Sequence, residues 1–491
     1  MNYGIIRNVL GKIMIMMACI MSVSLIFCVA YQESFKCYLA FLVPVGILLV
    51  LGWLLNIKKA KSKKMLAREG FVIVGLTWIL MAAFGGIPFL IDGCMDNFFD
   101  AFFEMSSGFT TSGGSIFKGT EMEEITHSLK FWRSFTHWIG GMGILVFVLA
   151  FIPESDDGSA MHILRAESPG PQVGKLVSKM KATSRILYLI YFVLTIICIL
   201  FLWIGPDKRM NFFNSLVYSL GTAGTGGFSI HSIGVAYFNA YSQYVIAIFM
   251  LIFAVNFSIY YLLLIKNVKE VWQNGELKWY ICIVTIAVTI IAINIFHMVS
   301  EITTVEEAFR HSLFQVASII STTGYSTMNF DLWPNLAKFT LLIVMAIGGC
   351  AGSTAGGLKV CRVQILFKSS IKKVKNMVNP RKVEALYIDG KPMNDATLEG
   401  VHSYFAVYAI VFVLATLLIS VDNFDLVTNI SASLTCISNV GPGLGAVGPY
   451  GTFYYYSDFS KFVLSIEMIA GRLEFFPLLV LFTPSTWKRK I

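Results

Sequence analysis

Four short stretches of the chain combine glycine with small hydroxyl or amide side chains. They are Thr110-Thr111-Ser112-Gly113, Gly221-Thr222-Ala223-Gly224, Ser321-Thr322-Thr323-Gly324 and Ser438-Asn439-Val440-Gly441. In each, a small or hydroxyl-bearing residue stands three positions before the last glycine, and Thr or Asn stands two before it. These glycines are 111, 100 and 117 residues apart, and self-similarity at a near-constant spacing marks repeated architecture. The chemistry such residues offer is oxygen. A cation entering hydrocarbon must exchange its water for other oxygens, and rings of backbone carbonyls supply them. Turning successive carbonyls toward one axis takes unusual dihedrals, which glycine tolerates at low steric cost. The expectation is that the four stretches meet around one axis and line an ion pore.

The elements that would position them follow from apolar run lengths. Each stretch closes a short apolar segment, near residues 97–109, 211–220, 305–320 and 424–437. A helix of about 13 residues spans ~20 Å at ~1.5 Å per residue, so it enters a bilayer without crossing it. The non-helical tail then needs protein or water around it. Its negative dipole end, aimed inward, suits a cation. Full-length runs flank each short segment: 71–92 and 130–151, 184–204 and 240–266, 279–299 and 337–367, 401–420 and 460–482. Two more, at 11–30 and 37–57, precede them. The fold class predicted is an all-α polytopic membrane protein of about ten transmembrane helices. Four helix–pore-loop–helix repeats would surround one pseudo-fourfold pore, with two extra helices at the N-terminus. The units expected are 1–68 (helix pair and basic loop), 69–152, 153–270, 271–398 and 399–491.

Composition agrees. The 491 residues are 56% hydrophobic and only 14% charged, with mean hydropathy +0.70, which excludes a soluble domain. The net charge of +9 reads as membrane orientation, because Lys and Arg collect in cytoplasmic loops. Basic residues crowd Lys58–Lys64, Lys175–Arg185, Lys266–Lys278, Lys359–Lys382 and Lys488-Arg489-Lys490, whereas Glu121, Glu123, Glu124, Asp331, Asp422 and Asp458 fall in the opposite loops. Both termini are therefore expected inside, and the first apolar run, lacking a small-residue cleavage site, reads as a retained helix. No basic helix interleaved with aromatics supports nucleic-acid binding. The nine cysteines lie mostly in apolar runs without a CxxC, which reads as buried small hydrophobes. The seven scattered histidines form no ligand pair, and no nucleophile or acid–base set of an enzyme is evident. Gly443–Gly448 fits GxGxxG literally, but no strand precedes it and Pro449 interrupts the helix that a dinucleotide site would need next.

Two further features carry mechanism. Gly348, Gly349, Gly352, Ser353, Thr354, Gly356 and Gly357 crowd into one stretch inside the apolar run 337–367 and should break that helix. Close packing of small residues is the competing reading. Arg472 lies within the last apolar run. A charge at that depth costs ~2.5–3.5 kcal/mol on insertion scales and marks a functional candidate. A structural pair with Glu467 or Glu474 is the alternative, and both roles are compatible.

These residues carry a resemblance. Ser107–Gly113, His137–Gly143, Thr222–Ser229, Ser321–Thr327, Ser438–Gly443, Gly471–Glu474 and Leu481–Pro484 resemble successive motifs of the Trk/Ktr/HKT superfamily of cation transporters, and the length and N-terminal helices resemble its TrkH branch. The likeness implies potassium uptake in a bacterial inner membrane through a filter of carbonyls, with K+ as the transported and filter-bound ion and no covalent cofactor. It implies a mobile glycine-rich loop under the filter and Arg472 as a cationic barrier in the path. It also implies a homodimer, lipid surroundings and a cytoplasmic nucleotide-binding regulatory subunit (TrkA-like). Glycine at all four filter positions implies a preference for potassium. Ser112-Gly113-Gly114 departs from the Thr-Gly-Ala expected there. A sodium-permeable relative and a proton- or sodium-coupled secondary transporter are the alternatives, the latter disfavoured by short segments that carry glycine instead of carboxylates.

Overall fold

In hydrocarbon a backbone must satisfy its own N–H and C=O groups, so apolar runs of membrane length become helices. The computed structural model describes residues 1–58, 60, 66–143, 180–380, 386–389 and 391–487. The first two long helices, α1 (Tyr3–Ser22) and α2 (Phe35–Asn56), pack on each other. Their contact is close because Gly11 and Gly52 face: a Cβ on either would lie under 3.0 Å from the other's carbonyl oxygen.

One order of elements then recurs four times: a long helix, a short helix, a loop and a second helix. The first set is α3 (Ala67–Gly85), α4 (Phe98–Thr110) and α5 (His127–Gly141). The second is α6 (Met180–Ile204), α7 (Phe212–Gly224), then α8 (Ala240–Phe253) continued by α9 (Phe257–Leu264). The third is α10 (Gly275–Met298), α11 (Val305–Ile320), then α12 (Asn335–Ile347) and α13 (Val360–Val378). The fourth is α14 (Asp395–Ile419), α15 (Leu426–Ser438), then α16 (Asp458–Arg472) and α17 (Phe476–Phe482). Asn97, Asn211, Thr304 and Asp425 cap the short helices, each accepting a first-turn N–H through its side chain, as N-cap residues do.

The sets close on one another. Each short helix packs against the second helix of the set before it: α7 on α5, α11 on α8, α15 on α12, and α4 on α16, which completes the cycle. Two buried charges pin that closing contact. Lys461 of α16 donates to Asp100 of α4 at 2.5 Å, both side chains largely out of solvent.

The second helices differ from the continuous spans expected. α8 and α9 meet at a 90° bend, where Asn256 turns the chain and caps α9 by accepting from Ser258 N–H. α16 and α17 are separated at Leu473–Phe475, where Glu474 and Phe475 hold positive φ. α12 and α13 are separated by the glycine-rich loop, as expected. Among the described residues, six helices are long and apolar enough to cross a membrane, or seven with the bent pair counted as one span. The second half of the run at 130–151 lies outside the described residues, as do most of the basic residues at 59–65 and 175–179, Arg381-Lys382 and the last four positions.

Candidate functional site

The short helices end in one way. In each, the residue after the helix or one beyond takes the left-handed conformation, and none of the four is glycine: Thr111 (φ 59°), Thr225 (φ 52°), Thr322 (φ 56°) and Asn439 (φ 57°). The next N–H reaches back five residues: Ser112 to Ser107 O at 2.9 Å, Gly226 to Gly221 O at 2.9 Å, Thr323 to Ser318 O at 2.8 Å and Val440 to Thr435 O at 3.0 Å. This is the Schellman closure of a helix C-terminus. It sets the register. The segments in register are Thr110–Gly113, Gly224–Gly227, Ser321–Gly324 and Ser438–Gly441.

The second segment therefore lies three residues later than the sequence pattern suggests. Gly221, Thr222 and Ala223 are helical residues of α7. Thr222 bonds its hydroxyl to Tyr218 O at 2.8 Å, and a Cβ on Gly221 would collide with the Tyr325 hydroxyl. Gly224 is shared by both registers. Thr225, Gly226 and Gly227 lie within the Thr222–Ser229 motif but outside the four residues expected to line the pore there, and α7 runs past the expected end at 220.

The last residues of the segments touch in a ring. A Cβ on Gly113 would sit under 3.0 Å from Gly227 N, one on Gly227 from Thr323 O, one on Gly324 from Val440 O, and one on Gly441 from Ser112 O. Each glycine thus makes room for the backbone of the next set, and the fourth returns to the first. Against the ring lies a cavity of ≈ 80 Å³, lined by these four glycines together with Ser115 and Arg133.

Side chains lock the ring from behind. Thr110 donates to Ser106 O at 2.7 Å, and the Ser321 and Thr323 hydroxyls pair at 2.7 Å. Ser438 meets the Tyr408 hydroxyl at 2.9 Å. Asn439 donates to Ser112 Oγ and to Met468 O, both at 2.9 Å, joining the fourth set to the first. His137 joins the first to the second: Phe228 N–H donates to Nε2 at 3.3 Å, which leaves Nδ1 as the protonated nitrogen toward Gly108 O at 2.8 Å. Arg133 and Glu104, fully buried, pair at 2.7 Å. Arg133 also reaches Ser229 O at 3.1 Å and lies 4.1 Å from the Phe228 ring, while Glu104 accepts from Ile116 N–H at 2.9 Å. The pair braces the loops that leave the first two segments. Farther out, Glu123 accepts from the N–H and hydroxyl of Ser232, each at 2.7 Å. Those hydrogen bonds hold its carboxyl below the ordinary carboxylate range.

The loop between α12 and α13 lies directly against the ring. Gly348 opens it at φ 72° and ψ −164°, a region only glycine enters freely. Gly352 and Gly357 also have positive φ. Gly349 packs on Ala254 at the α8–α9 bend, Cys350 N–H donates to Ala254 O at 2.9 Å, and Thr354 donates to Phe253 O at 3.1 Å. Ser353 turns inward to Cys350 O at 2.6 Å. Gly356 N–H donates to the Thr322 hydroxyl at 2.6 Å, and a Cβ on Gly356 would strike Ser438 O. The loop therefore touches ring residues of two sets.

Arg472, the last residue of α16, reaches across the same space. Its guanidinium donates to Thr354 O at 2.8 Å, to Gly140 O at 2.5 Å and to Gly141 O at 2.6 Å. It links the fourth set to the loop of the third and the C-terminal end of α5 in the first. Of its two candidate partners, Glu467 accepts from Ser433 at 2.7 Å. Glu474 pairs with Arg362, which stacks 3.9 Å over the Tyr404 ring.

A multi-pass α-helical membrane protein whose four short helices converge on one closed ring belongs among membrane transport proteins, not enzymes. The family follows from comparison. Residues 40–489 match the TrkH family, described as a cation transport protein. The chain is 36% identical to the Trk system potassium uptake protein TrkH of Salmonella typhimurium, across 91% of each chain. It is 34% identical to the TrkH of Escherichia coli, across 99% of this chain and all of the other. The crystal structure of the potassium transporter TrkH from Vibrio parahaemolyticus superposes with a TM-score of 0.87 at 30% identity, over 99% of this chain and 100% of that one. The chain belongs to the TrkH family.

Proposed function

We propose that this chain takes up potassium across a bacterial inner membrane, with both termini in the cytoplasm, by passage through the ring of Thr110–Gly113, Gly224–Gly227, Ser321–Gly324 and Ser438–Gly441. The observation that carries this reading is the cyclic contact of the four segments, backbone against glycine, at the C-terminal ends of four short helices. Such ends place negative dipole toward a cation, and a ring of backbone oxygens replaces its hydration shell. The glycine-rich loop obstructs the path on the side of the ring where Gly356 meets Thr322. Arg472 adds positive charge to that obstruction and ties it to α5 and α16. The relatives are potassium uptake proteins of a Trk system by name, which supports potassium as the ion and association with a TrkA-like cytoplasmic nucleotide-binding subunit. A homodimer in lipid completes the proposed assembly.

Growth of potassium-uptake-deficient cells on low potassium tests the function, with the regulatory partner supplied. Failure to rescue despite good membrane expression overturns it. Flux of K+ against Na+ in proteoliposomes separates potassium uptake from a sodium-permeable channel, and dependence on a proton or sodium gradient would identify a coupled transporter. Arg472→Ala should raise K+ flux several-fold in folded protein; unchanged or lower flux refutes the barrier role.

A further inference from the structure

The glycine-rich loop has few side chains large enough to hold its shape, yet its two ends are gathered at one atom outside it. Glu276, in the first turn of α10, is 8% exposed. Its Oε1 accepts from Ala351 N–H at 2.7 Å and from Cys361 N–H at 3.2 Å. Ala351 lies near the start of the loop, and Cys361 lies just past its end in α13. One carboxylate oxygen therefore bridges entry and exit. The position of Glu276 is itself fixed from two sides. Asn274 caps α10 by accepting from Leu277 N–H at 2.8 Å. Gly275 N–H donates at 2.8 Å to Asp389, in the turn of a short hairpin pairing Tyr387–Ile388 with Lys391–Pro392. That hairpin seats Leu386 and Ile388 on Ile365 of α13 and on Val401 of α14.

We propose that Glu276 is the positioning residue of the loop: it clamps both loop ends to α10 and so holds the loop against the ring, with the hairpin at Asp389 bearing on the clamp. The inference rests on the reading of the loop as the obstruction in the path. Hydrogen bonds to a carboxylate are the strong ones, and cutting the side chain back to alanine removes both. A glutamine keeps the accepting oxygen and loses only the charge.

Hydrogen exchange of the full-length protein in lipid nanodiscs reads the loop, and K+ flux in proteoliposomes reads transport. In Glu276→Ala, which loses both hydrogen bonds, peptides covering 348–361 should exchange about tenfold faster or more, as the loss of even one charge-assisted bond gives, and K+ flux should rise. Glu276→Gln should fall between the parent and Glu276→Ala in both, since its amide oxygen still accepts but without the charge. Faster exchange with unchanged flux supports the clamp and overturns the loop as obstruction. Unchanged exchange in folded Glu276→Ala overturns the clamp, and so does Glu276→Gln behaving like Glu276→Ala. If Glu276→Ala does not fold, Glu276→Asp, which draws the oxygen back from both N–H groups, carries the same readings.

Discussion

Replacing Gly324 with alanine tests the ring most directly. Gly324 has φ +89°, where an L-residue costs about 1–2 kcal/mol. Its new Cβ would also stand under 3.0 Å from the Val440 carbonyl oxygen and against Pro442 Cδ. Both neighbours belong to backbone or to a ring closed on it, so neither can swing aside as a flexible side chain would. Relieving such overlap in a packed site costs about 1–3 kcal/mol. Together the variant must absorb about 2–5 kcal/mol at one point of the ring. The cheapest relief turns the Val440 carbonyl away from its present line. If that oxygen helps to discriminate between ions, each ~1.4 kcal/mol of lost preference is tenfold in ratio, so the K+/Na+ flux ratio should fall at least about tenfold. The assay is paired K+ and Na+ flux in proteoliposomes. Gly119→Ala is the control, because Gly119 also has positive φ (+46°) but nothing lies within 4 Å of its Cβ. A folded Gly324→Ala protein with the parent's ratio refutes the claim that ring backbone sets selectivity.

Other expectations follow from the same geometry. Gly227→Ala should lower the K+/Na+ flux ratio as Gly324→Ala does, because its Cβ meets Thr323 O, whereas Thr222→Val should leave the ratio unchanged, losing only a bond to Tyr218 O within α7. Equal effects of the two would return the second segment to the Gly221–Gly224 register. Glu104→Gln or Arg133→Met leaves one buried charge uncompensated and should destabilise by about 3–5 kcal/mol, seen as a lowered thermal midpoint in detergent; the double variant should recover part of the loss. Glu123 has a folded-state pKa below its unfolded value, so its contribution is fully present above the ordinary carboxylate range and disappears as pH falls through the lowered value. Glu123→Gln should therefore lower the thermal midpoint at neutral pH, and the difference from the parent should vanish in strong acid.

Run length and the glycine crowding at 348–357 made the helices and the loop legible, because each is a local property. What the sequence concealed is tertiary. Arg133 and Glu104 are 29 positions apart, and nothing local announces that they meet. Positive φ at Glu474 and Phe475 has no compositional sign. The second segment misleads for a more instructive reason. The pattern of a small residue, then Thr or Asn, then any residue, then Gly fits Gly221–Gly224, and it fits Gly224–Gly227 equally. Helix length resolves the ambiguity: α4, α7 and α15 are each 13 residues from a polar N-cap, so Asn211 points to an end at Gly224.

The glycines do more than the expectation gives them, and they do not carry the strain alone. The expectation assigns them the strained dihedrals, and Gly113, Gly324 and Gly441 do have positive φ, but Thr111, Thr225, Thr322 and Asn439 hold the left-handed conformation as well. A non-glycine residue there costs on the order of 1 kcal/mol or more and persists only where its surroundings over-determine it. Here the surroundings are visible. Asn439 is held by Ser112 and Met468, and Thr322 receives Gly356 N–H from the loop. The glycine two residues later also serves close approach. Gly227 makes this plain, because it has no positive φ and still leaves no space for a Cβ. Two positions, two residues apart, thus act together. One side chain bears strain and ties the ring to its supports, and one missing side chain lets the next backbone in. Strain repeated at one register in four sets is the signature of a site that the rest of the fold is built to hold.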